Sequence, residues 1–200
     1  MTCEPHNTHF GKAFPISTLV LVGMRKSACA SRMGLYHSET AGVLANCRAA
    51  LAYARRIGWP VAFARNVSSG AGRPTNEWIK GFEPQRTDAL LDYVNASCYS
   101  SPYFERNVRE TGGSVVFAGF FDRGGCLSTC ADAFLAGQHV TFLADATLDD
   151  ISKDVCSETA SRLLKSFTTF EVTTQQTAAW IQSLGYFPAL EAEAGRRSPN

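Results

Sequence analysis

The sequence lacks what several protein classes require. No apolar run approaches the ~18 residues needed to cross a bilayer, and the first residues carry no signal-peptide pattern, which points to a cytoplasmic chain without a membrane partner. Seven cysteines are scattered along the chain, odd in number and without a CxxC pair, which argues against a disulfide framework or a zinc knuckle. Free thiols suit a reducing compartment. Charge of one sign is also scarce: the formal net charge is +1, giving no electrostatic reason to expect a nucleic-acid partner. Internal repeats and low-complexity segments are absent.

What is present suits one α/β domain. Two hundred residues with 45% apolar content can bury a sizeable core. Residues 1–16, with His6 and His9, read as an arm; residues 17–186 form the domain, and 187–200 read as a disordered tail. Thr18–Val22 is a short apolar run of the kind found in buried parallel strands. After a loop over 27–37, Ser38 or Thr40 can cap a helix running to Ile57, with Leu44, Cys47, Leu51 and Ala54 on one stripe. Val61–Ala64 is a second strand and Ala89–Val94 a third.

The chain is organised around residues 113–146. Val115–Ala118 reads as a strand ending at Gly119, Phe120–Gly125 as a turn, Cys126–Leu135 as a helix closed by Gly137, and Val140–Leu143 as the next strand. Asp122 is available as a helix cap. Asp150 then caps a helix through Leu164, Phe170–Val172 reads as an edge strand, and Thr173 or Thr174 caps a last helix containing Trp180. A strand that feeds a helix through a tight turn exposes the turn at the carboxyl end of a parallel sheet, where open α/β folds bind ligands.

Gly119, Gly125, Ser128-Thr129, Asp132-Ala133, Gly137 and Asp145-Ala146, at their joint spacing, resemble the isochorismatase-like hydrolase superfamily, which includes isochorismatases, nicotinamidases and N-carbamoylsarcosine amidohydrolase. The resemblance covers roughly residues 17–184. It implies a doubly wound, three-layer α/β/α fold with a mainly parallel six-stranded sheet in the order 3-2-1-4-5-6. It also implies a small-molecule partner, and homo-oligomers are common among such proteins.

Most members of that superfamily use an aspartate, a lysine and a cysteine. The matching positions here are Gly23, Ser97 (four residues before Ser101-Pro102-Tyr103) and Gly125. A glycine cannot move a proton, and a serine supplies no charge beside a developing oxyanion. Glycine in place of the cysteine also occurs in siderophore-type isochorismatases, which cleave a vinyl ether. Asp122, Arg123 and Cys126 are the candidate replacements, although a helix cap, a solvated residue and a buried thiol are the plainer readings of the three. Asn66 matches a substrate-contacting glutamine. Trp78 and Phe82, in a W-x-x-G-F segment, can stack on a ring or pack on the core, and Tyr103, Phe120 and Phe121 complete the expected pocket wall. No metal and no cofactor are expected, because the residues after Arg65 lack the ligands of the nicotinamidases. These features point to an atypical site that binds or converts a small ring-bearing metabolite. The alternative is an active hydrolase of vinyl ether or amide bonds.

Overall fold

The computed structural model describes residues 16–67, 77–121, 124–149 and 172–184. Most of the arm, the tail, the helix expected after Asp150, and Asp122 and Arg123 lie outside them.

Six parallel strands make the sheet: β1 (Ser17–Val22), β2 (Val61–Asn66), β3 (Ala89–Tyr93), β4 (Ser114–Phe121), β5 (His139–Asp149) and β6 (Val172–Gln175). Their order is β3-β2-β1-β4-β5-β6, as the resemblance implied. β1 is central, which is why Ser17–Val22 is buried along its whole length. Its alternating side chains feed two cores. Leu19 and Leu21 join Phe63, Val116 and Ala118 beneath the helix α1 (Lys26–Arg56). Val20 and Val22 join Ala62, Ala64, Phe117 and Phe142 beneath α2 (Phe104–Glu110) and α3 (Gly125–Leu135). A final helix, α4 (Thr177–Ser183), packs on the α1 side. There Trp180 meets Tyr53 and Trp59 edge-on, with ring centroids 5.5 and 5.8 Å away.

Several local expectations need correction. α1 starts at Lys26, so residues 27–37 are helical rather than a loop, and Ser38 and Thr40 are interior positions rather than caps. The physical reason is propensity: Ala28, Ala30, Arg32, Met33 and Leu35 favour helix, and only Gly34 opposes it. β4 continues through Phe121, because β5 also continues past its expected end and pairs Leu148 and Asp149 with Phe120 and Phe121. Between those paired stretches β5 bulges. Phe142 faces Phe117 and Thr147 faces Gly119, so residues 143–146 are accommodated opposite Ala118 alone.

The bulge is held from two sides. Asn46 Nδ2 donates to the Asp145 carbonyl at 2.8 Å, and the Cys47 thiol donates to the Ala146 carbonyl at 3.2 Å. The Asp145 carboxylate accepts from both the backbone N–H and the hydroxyl of Thr177, each at 2.7 Å. Thus α4 is capped from a distant strand. Thr173 and Thr174, expected as its caps, lie in β6 instead.

Candidate functional site

The carboxyl ends of β1 and β4 meet through glycine. Gly23 follows β1 with φ +67°, and a Cβ built there falls 2.5 Å from the Phe120 carbonyl oxygen and 3.2 Å from the Phe120 Cβ. Its N–H donates to the Ala64 carbonyl at 3.1 Å, tying the turn to β2. Gly119, at φ +118°, approaches β1 in the reciprocal sense: a Cβ there would overlap the Val22 carbonyl oxygen. The two backbones are therefore in contact where a side chain at residue 23 would otherwise stand.

A second close approach lies at the start of α3. A Cβ at Gly125 would fall 2.8 Å from the Ala96 carbonyl oxygen and 3.4 Å from a ring carbon of Phe121. This approach brings Gly125 beside Ser97, the next residue in that loop. Ser97 is buried, and its hydroxyl accepts from the Tyr99 N–H at 3.1 Å, so it caps the short 3-10 turn over Cys98–Ser100. The loop is also bound to α3, because the Cys98 N–H donates to the Thr129 hydroxyl at 3.1 Å. Gly23 and Gly125 thus adjoin the consecutive residues Phe120 and Phe121, at the end of one strand.

The ends of β2 and β3 carry charge. Arg65 makes a two-pronged ion pair with Asp92, at 2.5 and 2.7 Å, and its guanidinium carbon lies 5.9 Å from the centre of the Trp78 ring. Trp78 packs edge-on to Phe63 at 5.4 Å. Arg25 pairs with Trp78 through an antiparallel bridge and is buried. Burial lowers the proton affinity of its guanidinium, Arg65 lowers it further, and Asp92 opposes both. Asn66 donates from Nδ2 to the Asn95 carbonyl at 3.2 Å, which joins the β2 end to the loop after β3. Arg25 follows Gly23 and is expected at this mouth from the sequence, but Arg65 and Asp92 were not among the expected residues. Their sequence signal was the in-register pairing of Arg65 with Asp92 across β2 and β3, legible only once that register is known.

The aromatic residues expected at the pocket are placed differently. Phe82 is fully buried in the α1 core, with the Arg48 guanidinium 5.3 Å from its ring centre. Phe120 and Phe121 are buried on opposite faces of the sheet, so their rings help fill the two cores rather than share one wall. Tyr103 is 59% exposed at the start of α2, where Arg106 stacks at 5.2 Å. Cys126 is half-buried in the first turn of α3. Cys47 and Cys98 are buried, and desolvation pushes each thiol up to about 12, which keeps both protonated and unreactive. Among the described residues no group of three or more His, Cys, Asp or Glu side chains can hold a metal ion, and no helix is long and apolar enough to cross a membrane.

A doubly wound sheet with its candidate site at the strand ends defines the class of fold, and comparison places the chain within it. The model of the isochorismatase domain matches residues 17–177, so the chain belongs to the isochorismatase family, within the isochorismatase-like hydrolase superfamily. Solved structures agree on the fold. A cysteine hydrolase from Pseudomonas syringae pv. phaseolicola is 22% identical at a TM-score of 0.66, over 84% of this chain and 92% of that one. A putative isochorismatase from Burkholderia xenovorans is 17% identical at a TM-score of 0.68, over 85% of this chain and 88% of that one. N-carbamoylsarcosine amidase from Thermoplasma acidophilum is 19% identical at a TM-score of 0.60, over 80% of this chain and 96% of that one. No curated protein matches.

Proposed function

We propose that this protein binds a small ring-bearing metabolite at the carboxyl ends of β1, β2 and β4 without the aspartate–lysine–cysteine chemistry of its relatives. The observation that carries the reading is the pair of close approaches at Gly23 and Gly125. If these glycines occupy the acid/base and nucleophile positions, the backbone has closed on both, and neither can be refilled by a side chain without moving Phe120 or Ala96. Ser97, in the lysine's place, spends its hydroxyl on a turn and carries no charge. Each of the groups absent at these positions contributes orders of magnitude to rate. The binding groups that remain are Trp78 as a ring surface, Arg65 as a cation and Asn66 as an amide.

The test is incubation of the purified protein with isochorismate, with mass spectrometry for cleavage products and calorimetry for binding. Saturable binding without turnover supports the reading. Turnover at an enzymatic rate overturns the loss of chemistry, and no binding at all overturns the choice of ligand.

One observation favours a second reading, an active hydrolase with a displaced nucleophile. Cys126 lies in the first turn of α3, where the helix N-terminus stabilises a thiolate, and unlike Cys47, Cys98 and Cys130 it is only partly buried. Rapid, selective alkylation of Cys126 by iodoacetamide, with loss of a measured turnover, supports that reading; sluggish alkylation rejects it.

A further inference from the structure

Beyond β1 the chain makes one more short ladder. Glu77–Ile79 runs antiparallel to Met24–Lys26, with Arg25 opposite Trp78. Two backbone bonds close it: the Lys26 N–H donates to the Glu77 carbonyl at 3.0 Å, and the Ile79 N–H donates to the Met24 carbonyl at 3.1 Å. Across it the side chains of Lys26 and Glu77 form an ion pair at 2.8 Å, and they are 59% and 64% exposed. Behind the strap the Trp78 ring meets the buried Phe63 edge-on at 5.4 Å, and its centre lies 5.9 Å from the Arg65 guanidinium carbon. On its carboxyl side the strap ends at Gly81, which takes a φ of +88° and donates its N–H to Glu83 Oε2 at 2.9 Å.

The contrast with β1 is large. β1 is paired on both edges and buried on both faces, whereas the strap is paired on one edge by two ladder bonds, rests Trp78 and Ile79 half-buried on the α1-side core, and adds an exposed ion pair of the kind worth at most about 1 kcal/mol. A short ladder paired on one edge is the kind of segment that opens locally, without global unfolding.

We propose that Glu77–Ile79 is a gate. It unzips from Met24–Lys26 as a unit while the sheet stays folded, and the open state lifts Trp78 away from Phe63 and Arg65 and uncovers both to an incoming ligand. Its use as a gate rests on the reading that a ligand sits at the strand ends; its opening does not.

Residue-resolved amide hydrogen exchange on the full chain tests it. The Lys26 and Ile79 amides are expected to exchange far faster than Val20 and Leu21, under conditions where the protein is folded. In Glu77→Gln, a surface change that leaves the core untouched, both strap amides are expected to accelerate together by about two- to five-fold, the range an exposed ion pair supplies. Val20 and Leu21 are expected to hold their rates. Strap amides that exchange only as slowly as Val20 and Leu21, or that respond separately to Glu77→Gln, overturn the gate. Failure of the ligand reading shows up elsewhere, as absent binding in calorimetry with this exchange pattern intact.

Discussion

Asp145 Oδ1 receives two hydrogen bonds from Thr177, one from its N–H and one from its hydroxyl, across 32 residues of sequence. In this way a strand caps a helix that follows another strand, and the last described helix is fixed to the β5 bulge.

Replacing Asp145 by alanine removes that cap. The expected loss is about 1–2 kcal/mol of stability, as for other N-caps, read as a lower urea midpoint with an unchanged slope. Asp145→Asn keeps an acceptor and should lose less. Equal losses in the two variants would assign the effect to charge rather than to capping.

Gly23→Ala is expected to be costly for two separable reasons. A non-glycine residue at φ +67° is strained by about 1 kcal/mol, and the added Cβ also meets the Phe120 carbonyl oxygen. Gly58→Ala isolates the first term, because φ there is +72° and no atom lies within 4 Å of the added Cβ. The Gly23 variant should therefore be the less stable of the two in parallel urea melts. By the same argument Gly23→Asp should not restore an acid/base group in an otherwise undisturbed fold.

The buried thiols predict a pH dependence. Cys47 and Cys98 ionise near 9 when unfolded and near 12 when folded, so the folded state holds protons that the unfolded state releases. Their stabilisation is fully present below pH 9 and is lost as pH rises from about 9 towards 12. The expected slope approaches about 1.4 kcal/mol per pH unit for each thiol in that window. Cys98→Ala should make the slope shallower, whatever it does to stability at neutral pH. An unchanged slope would show that Cys98 is not the group responsible.

Phe82→Ala should cost about 3–5 kcal/mol, because it empties a fully buried site under α1. If Phe82 were a ligand-stacking residue held in an open pocket, the same change would weaken binding while leaving the urea midpoint nearly unmoved. Measuring both on one variant separates these roles.

The inner strands were legible in the sequence because they are short apolar runs, such as Thr18–Val22 or Val115–Ala118, bounded by glycine or charge; the edge strand β6, Val172–Gln175, is mostly polar and meets the expected Phe170–Val172 only at Val172. The strand order came from the family resemblance. The start of α1 was misread because Ser38 and Thr40 are good caps by type, while the continuous helical preference upstream of them prevailed. The extension of β4 and the bulge in β5 were not legible, since neither leaves a periodic mark; they follow from pairing between residues about 25–30 positions apart. At the candidate site the sequence shows glycine at residues 23 and 125, but not that the backbone packs closely at both. That depends on Phe120 and Ala96, whose carbonyl oxygens carry no sequence signature. Phe120 and Phe121 were placed on one wall because they are neighbours in sequence, yet consecutive strand residues face opposite ways.

The central position of β1 also constrains how the protein is made. One edge of β1 pairs with β2 some forty residues downstream, but the other must wait for β4, whose first residue is Ser114. Any β1–α1–β2 unit that forms before β4 is available has an unpaired apolar edge. Such an edge invites pairing with other nascent chains. That edge is closed only when β4 becomes available to pair, so β4 carries the burden of shielding the middle of the sheet.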